Sequence, residues 1–389
     1  SKFQIQTTES QRKIDINIMD ETTDLLDEYV LSSQLLADGE PVRCIVATKA
    51  AAIGGESSSS SSSSLELLSG SQGGTVSRIV VLPSSTTPSD DPKRLGADDD
   101  SDDGMDVEED GSSTPVLEIQ PGGADARHPH QISAILHCSS SSSSNAASSP
   151  PSNATNIPPP NIYATGCKDG NVRIFDATTH ELKFVLRGHT NAVTSLSWIP
   201  PAAGDEEEDG MPWLVSGSWD GTARAWSIPP AGGGGAQCLC VLGGHENTVS
   251  VAGLPPCGAA GARMLATVSA GAAEGNAIRG HAVRIWRLAT VPSSDNPPAV
   301  AASYEMIARV ADDHDGPMRD VVYDSDTDAI YTCSNDGTVK VRSARDGTCR
   351  TTLAYPGVGG DRPMFLSLCV VGDSATKAVI AGAEDGSVV

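Results

Sequence analysis

The segment WLVSGSWDGTARAWSI (213–228) places Ser216, Asp220 and Trp226 at fixed offsets around an Asp-Gly turn, with His189 upstream. Serine, histidine and aspartate are the side chains of acyl-transfer hydrolysis: the imidazole takes the serine proton and the carboxylate orients the imidazole. Such chemistry needs one set, with one activated nucleophile. This chain has several sets. ATGCKDGNVRIF (164–175), YTCSNDGTVKVR (331–342) and IAGAEDGSVV (380–389) share the frame of VSGSWDGTARAW (215–226). LLSGSQGGTVSRI (67–79) fits with Gly73 at the aspartate position, and 265–286 fits with about ten residues inserted at its turn. The upstream halves agree as well. RGHTNAVTSLSW (187–198), GGHENTVSVAGL (243–254) and DDHDGPMRDVVY (312–323) place histidine four residues before an apolar strand opener, and ARHPHQISAIL (126–136) does so with His128. ADGEPVRCIVA (37–47) and GGDRPMFLSLCV (359–370) keep the strand and lose the histidine.

The equivalent positions are therefore His128, Thr165, Asp169 and Phe175; His245, Thr267 and Trp286; and His314, Thr332 and Asp336, with Arg342 where the tryptophan falls. A catalytic triad occurs once, whereas a set that recurs with gradual loss is structural. Each unit reads as short β-branched runs between turns, which is strand chemistry. Units spaced at about fifty residues with four strands each are propeller blades.

These units resemble the WD40 repeat family: a Gly-His, an Asp-Gly-Thr turn and a closing tryptophan. The resemblance implies that His189, Ser216, Asp220 and Trp226 hydrogen-bond to one another and tie one blade together. Buried polar groups need such partners. The expected fold is an all-β propeller with six of seven four-stranded blades present and the chain cut before the seventh. Residues 1–27 are expected to be a flexible segment and 28–389 the incomplete propeller, with a strand over 28–36 that completes the last blade. Disordered insertions are expected at 55–64, 83–114, 139–160, 201–212 and 270–281, because their Ser, Pro, Gly and Asp content cannot form a core. Long insertions in loops cost little closure entropy.

With 389 residues and a formal charge of −24, the chain should repel nucleic acid and anionic membranes. Much of the charge lies in GADDDSDDGMDVEEDG (96–111) and GDEEEDG (204–210). Nine scattered cysteines without a C-x-x-C pair point to inert thiols and a reducing compartment, cytosol or nucleus. No metal-ligand spacing, phosphate-binding glycine loop or nucleophile motif stands out. The expectation is a non-enzyme without cofactor or metal, and without insertion into a membrane.

Three stretches sharpen the resemblance. WLVSGSWDGTARAW, AIYTCSNDGTVKV and YVLSSQLLADGEPVRCIVA are similar, in the same order, to the propellers of the ubiquitin-fusion-degradation family. That resemblance implies a ubiquitin-binding adaptor in ubiquitin-dependent degradation, ubiquitin homeostasis and sorting. It also implies a link to the AAA ATPase segregase (valosin-containing protein) through domains beyond the propeller. The alternative is a WD40 scaffold of another complex, in signalling or ribosome maturation. A propeller binds partners on the face made by its turns and strand entries. The turn positions there are Trp219, Lys168, Asn335 and Glu384, and the entry positions are Arg43, Thr194, Arg319 and Phe365. Trp219 and Phe365 are expected to supply an apolar half and Glu384 an acidic half. Any one of them is equally an ordinary solvated turn residue. Trp219 stands out because tryptophan and arginine dominate binding hot spots.

Overall fold

The computed structural model describes residues 2–5, 14–17, 42–52, 63–81, 117–121, 127–138, 161–200, 212–229, 235–256, 262–274, 277–291, 301–311, 313–355, 362–372 and 377–389. Among these residues every regular element is a strand. Five four-stranded antiparallel sheets follow one another along the chain, each a meander with its strands in sequence order. They are the blades of a β-propeller. Blade one holds Val42–Ala52, Ser63–Ser71, Val76–Val81 and Leu117–Pro121. Blade two holds Ile132–Cys138, Ile162–Cys167, Val172–Asp176 and Leu182–Leu186. Blade three holds Val193–Ile199, Trp213–Ser218, Ala223–Ser227 and Gln237–Leu242. Blade four holds Val249–Leu254, Ala262–Ser269, Ala282–Val291 and Ala301–Ala311. Blade five holds Met318–Asp324, Ala329–Ser334, Thr338–Ser343 and Cys349–Ala354. A two-stranded sheet, Phe365–Gly372 with Lys377–Ala383, comes next, extended by a bridge between Gly382 and Val388.

Burial explains which residues build which strand. The second strands of blades two, three and five are buried at every position, because neighbouring blades cover both faces. That is why IYATGC, WLVSGS and AIYTCS lack the polar alternation of a half-exposed strand. The outermost strand Cys349–Ala354 is exposed throughout. The core is divided into layers between consecutive sheets. Leu68 and Val76 meet Tyr163 and Phe175 between blades one and two. Ile174 and Leu186 meet Leu214 and Trp226 between two and three. Val215 and Leu242 meet Leu265 and Leu288 between three and four. Ile285 meets Met318 and Ile330 between four and five. Tyr331 and Cys333 meet Phe365 and Leu368 beyond blade five. No blade buries its faces alone, so the stack is the stable unit.

Polar groups stitch the first strands together. The Thr194 hydroxyl donates to the Val249 carbonyl at 3.2 Å, and Ser195 Oγ accepts from Val251 N–H at 3.1 Å. The Ser250 hydroxyl donates to Asp320 Oδ1 at 2.9 Å, and Asp320 Oδ2 accepts from Leu368 N–H at 3.0 Å. Burial pushes the Asp320 carboxyl up, against the hydrogen bonds from Leu368, Ser250 and Val321.

Some of the chain differs from expectation. Within 1–27, expected to be flexible, Lys2–Ile5 pairs antiparallel with Ile14–Asn17. Ser63 and Ser64, placed in an insertion by composition, extend a strand and pair with Ala52 and Ala51. Within 270–281, Ala272–Glu274 and Ala277–Arg279 form a short two-stranded sheet, because six backbone positions can pair whatever their side chains. The strand expected over 28–36, the insertions 83–114 and 139–160, and 201–212 apart from Pro212 lie outside the described residues.

Blade clamps and the turn face as the candidate site

In blade three the structure brings the hydrolase-like residues together. Trp226 Nε1–H donates to Ser216 Oγ at 2.9 Å, and Ser216 Oγ lies 2.8 Å from His189 Nε2. His189 Nδ1 lies 2.9 Å from Asp220 Oδ2. The carboxylate can only accept, so Nδ1 carries the proton and Nε2 receives the serine hydroxyl. The relay therefore runs from tryptophan to serine to histidine to aspartate. Burial lowers the His189 pKa, against the raising effect of Asp220, which keeps the ring neutral. Burial works against the charged form of Asp220, but donors from Thr222, Thr190 and His189 outweigh it and hold the carboxyl low. Ser216 is fully buried, so its hydroxyl meets no solvent.

The same relay recurs with substitutions. In blade five, His314 Nδ1 is 2.9 Å from Asp336 Oδ2 and His314 Nε2 is 3.1 Å from Thr332 Oγ1. Arg342 Nε–H takes the indole's place, donating to Thr332 Oγ1 at 2.9 Å. The guanidinium, 0% exposed, forks onto Asp313 at 2.5 and 2.9 Å. Burial disfavours the Asp313 carboxylate, and Arg342 outweighs it, holding the carboxyl below its usual range. Blade four keeps Trp286 Nε1–H to Thr267 Oγ1 at 2.9 Å and His245 Nε2 to Thr267 Oγ1 at 2.8 Å. It has no turn aspartate, and His245 Nδ1 is buried without a partner. Burial, then the Arg284 charge, push the His245 pKa down to about 3. In blade two, His128 Nε2 is 2.7 Å from Thr165 Oγ1. There Asp169 takes the Arg173 guanidinium at 2.6 and 3.3 Å, and Phe175, without a donor, stacks on Tyr163 at 5.0 Å.

The turns also join blades. Gly170 and Gly221 follow the turn aspartates with φ of 78° and 77°. A Cβ on Gly170 would lie 2.7 Å from the His189 carbonyl oxygen, and one on Gly221 3.0 Å from that of His245. Each turn glycine therefore rests on the clamp histidine of the next blade. In blade four His281 Nε2 reaches the His314 carbonyl at 2.6 Å instead.

The four turn residues share one arrangement. Backbone N–H groups of Lys168, Trp219, Asn335 and Glu384 donate to Gln131, Ala192, Pro317 and Met364 in the strand entries of their own blades, at 3.0, 3.0, 3.0 and 2.9 Å. Turns and entries thus form one face. Trp219 is 49% exposed there, and Lys168, Glu384 and Arg43 are exposed too. Arg43 donates to Gln72, and Arg319 Nε donates to Asn335 Oδ1 at 2.8 Å. Two expected contact residues are corrected. Phe365 is 2% exposed, packed with Tyr331, Cys333 and Val339, while its neighbours Met364 and Leu366 are exposed. The strand shifts register between Phe365 and Ser367, which turns the phenyl ring inward. Thr194 is half-buried, and its hydroxyl is spent on the Gly217 and Val249 carbonyls. Sequence reading missed Asp313, although it immediately precedes His314, and missed Arg173 as the partner of Asp169.

Recurring four-stranded sheets closed by these relays define a WD-repeat propeller. A family model for the WD domain, G-beta repeat, matches residues 180–227 and 305–343, so the chain carries WD40 repeats. Pre-mRNA-processing factor 19 of Bos taurus is 34% identical over 86 residues, 22% of this chain and 14% of that protein. WD repeat and SOCS box-containing protein 1 of Xenopus tropicalis is 33% identical over 112 residues, 29% of this chain and 23% of the relative. Phospholipase A-2-activating protein of Xenopus laevis is 31% identical over 98 residues, 24% of this chain and 10% of the relative. The matches thus span less than a quarter of each relative's length.

Proposed function

We propose that this chain is a non-catalytic WD40 adaptor whose turn face binds ubiquitin, in ubiquitin-dependent protein degradation, ubiquitin homeostasis and sorting. The carrying observation is Trp219, half-exposed on the turn face with its backbone fixed to Ala192. An aromatic ring held at a rigid edge buries large area at little entropic cost on binding. Similarity to phospholipase A-2-activating protein supports the choice of partner. Ubiquitin's recognition patch is apolar with basic neighbours. Trp219 supplies an apolar anchor, and exposed Met364, hydrogen-bonded through its carbonyl to Glu384 N–H, takes the place expected of Phe365 beside the acid.

The burial of Ser216, and the repetition of its set with threonine at its position and arginine at the closing one, support reading that set as structural. The reading includes a ring of seven blades, six of them begun within these residues. It places the protein in the cytosol or nucleus, in keeping with the free thiols of the described cysteines. Engagement of the AAA ATPase segregase belongs to segments other than the propeller. A second reading, a scaffold of a different complex, is favoured by relatives of similar identity whose names point to splicing and to a SOCS box. NMR titration of labelled ubiquitin with the wild-type chain and Trp219→Ala separates the two. Saturable shifts on the apolar patch, weakened about tenfold by the substitution, support ubiquitin. Absence of shifts at millimolar ubiquitin leaves the scaffold.

A further inference from the structure

The turn face is divided by charge. Gly74 rests on the His128 carbonyl, and Gly170 on that of His189. The Lys168 N–H bonds Gln131, and the Trp219 N–H bonds Ala192. These contacts make a continuous path from blade one to blade three. Along it stand Arg43, Arg127, Lys168, Arg187 and finally Trp219, all exposed. Past Trp219 acids outnumber cations at the turns and entries: Gly221 rests on the His245 carbonyl, Glu246, Asp315, Glu384 and Asp385 are exposed, and the exposed Arg362 lies against Gly337. In a chain with 50 acids against 26 bases, Arg127, Lys168 and Arg187 have no ion pair among the described residues. The acids that elsewhere neutralise arginine are spent inside the blades, Asp169 on Arg173 and Asp313 on Arg342.

We propose that the sector from Arg43 to Trp219 is a docking surface for an acidic, extended peptide segment of a partner protein, with an apolar residue of that segment on Trp219. Charge complementarity selects an acidic occupant. The placement of the cations favours several carboxylates over a single phosphate, because the four cations come from four separate segments of blades one to three. An extended chain offers a side chain about every 3.3 Å, a spacing that serves dispersed cations. Nucleic acid is disfavoured by the adjoining acidic sector and by the net charge of −24, which repel a polyanion. The surface is distinct from the Glu384 side assigned to ubiquitin, and only Trp219 is shared.

The test is fluorescence anisotropy of a labelled peptide of alternating glutamate and aspartate ending in leucine, titrated with the full chain. Saturable binding is expected, weakened about tenfold or more by Arg127→Glu/Lys168→Glu/Arg187→Glu, and several-fold by raising salt from about 0.05 to about 0.2 M. These side chains are exposed and have no ion pair among the described residues, and an unchanged melting curve verifies that the variant folds. Absence of peptide binding overturns the proposal, as does equal binding by the triple variant. A single-stranded oligonucleotide that binds more tightly than the peptide also overturns it. Ubiquitin titrated in parallel separates the two readings: the double variant Arg127→Glu/Arg187→Glu, which spares the named turn and entry residues, should weaken peptide binding and leave ubiquitin shifts intact.

Discussion

Blades three and five solve one problem with different chemistry. Both must satisfy a buried hydroxyl and a buried histidine. Blade three closes with a neutral indole, Trp226 on Ser216, and introduces no further charge. Blade five closes with Arg342 on Thr332 and must then bury a cation, so the half-buried Asp313 pairs with it. The clamp is thus specified by donors and acceptors and not by residue identity. A nucleophile's environment would not survive such exchange, which is the physical reason for reading Ser216 as part of the frame.

The contrast can be broken most forcefully at Asp313. Asp313→Ala strands a fully buried guanidinium, and urea unfolding should show a loss of about 3–5 kcal/mol. A loss under about 1 kcal/mol would mean that Arg342 is neutralised elsewhere and that the two clamps are energetically alike. Blade four, which lacks the aspartate, extends the comparison by pH. His245 titrates near 3 in the folded chain against about 6.5 unfolded. A depressed histidine contributes stability that is present above pH 6.5 and lost as pH falls towards 3. His245→Gln should flatten that acid decline by about 3 kcal/mol between pH 7 and 4. An unchanged slope would contradict the burial argument. Trp226→Phe deletes one N–H and strands no charge, so about 2 kcal/mol is expected, less than at Asp313. Glu305→Gln is the small reference: its pair with Arg287 is solvated on both sides, and the effect should stay below about 0.5 kcal/mol.

How far the sequence revealed this molecule depended on repetition. Strands, turns and clamp residues recur in frame, so His189, Ser216, Asp220 and Trp226 could be read by alignment of the chain with itself. The Asp-Gly turns were legible too, although the reason for glycine, close approach to the next blade's carbonyl, lies between repeats. Asp313 escaped because the demand for it arises only where Trp is replaced by Arg, a pairing across 29 positions. Phe365 was misplaced because FLSLCVVG is apolar on both faces, and a register shift after Phe365 decides which face turns inward. Composition did not foresee the paired strands within 1–27 and 270–281. Thr194 looked like a surface residue because strand-entry spacing does not reveal a neighbouring blade's carbonyl.

In blade three, structure and proposed recognition lie seven positions apart: Trp226, 3% exposed, holds the blade, and Trp219, 49% exposed, is the proposed partner contact. The most direct test measures unfolding midpoint and ubiquitin affinity together on Trp226→Phe and Trp219→Ala. The account predicts a crossed result: Trp226→Phe lowers the midpoint and leaves affinity within about twofold, while Trp219→Ala leaves the midpoint and weakens binding about tenfold. If Trp219→Ala lowers the midpoint and leaves binding unchanged, the exposed tryptophan is part of the frame and the recognition face lies elsewhere.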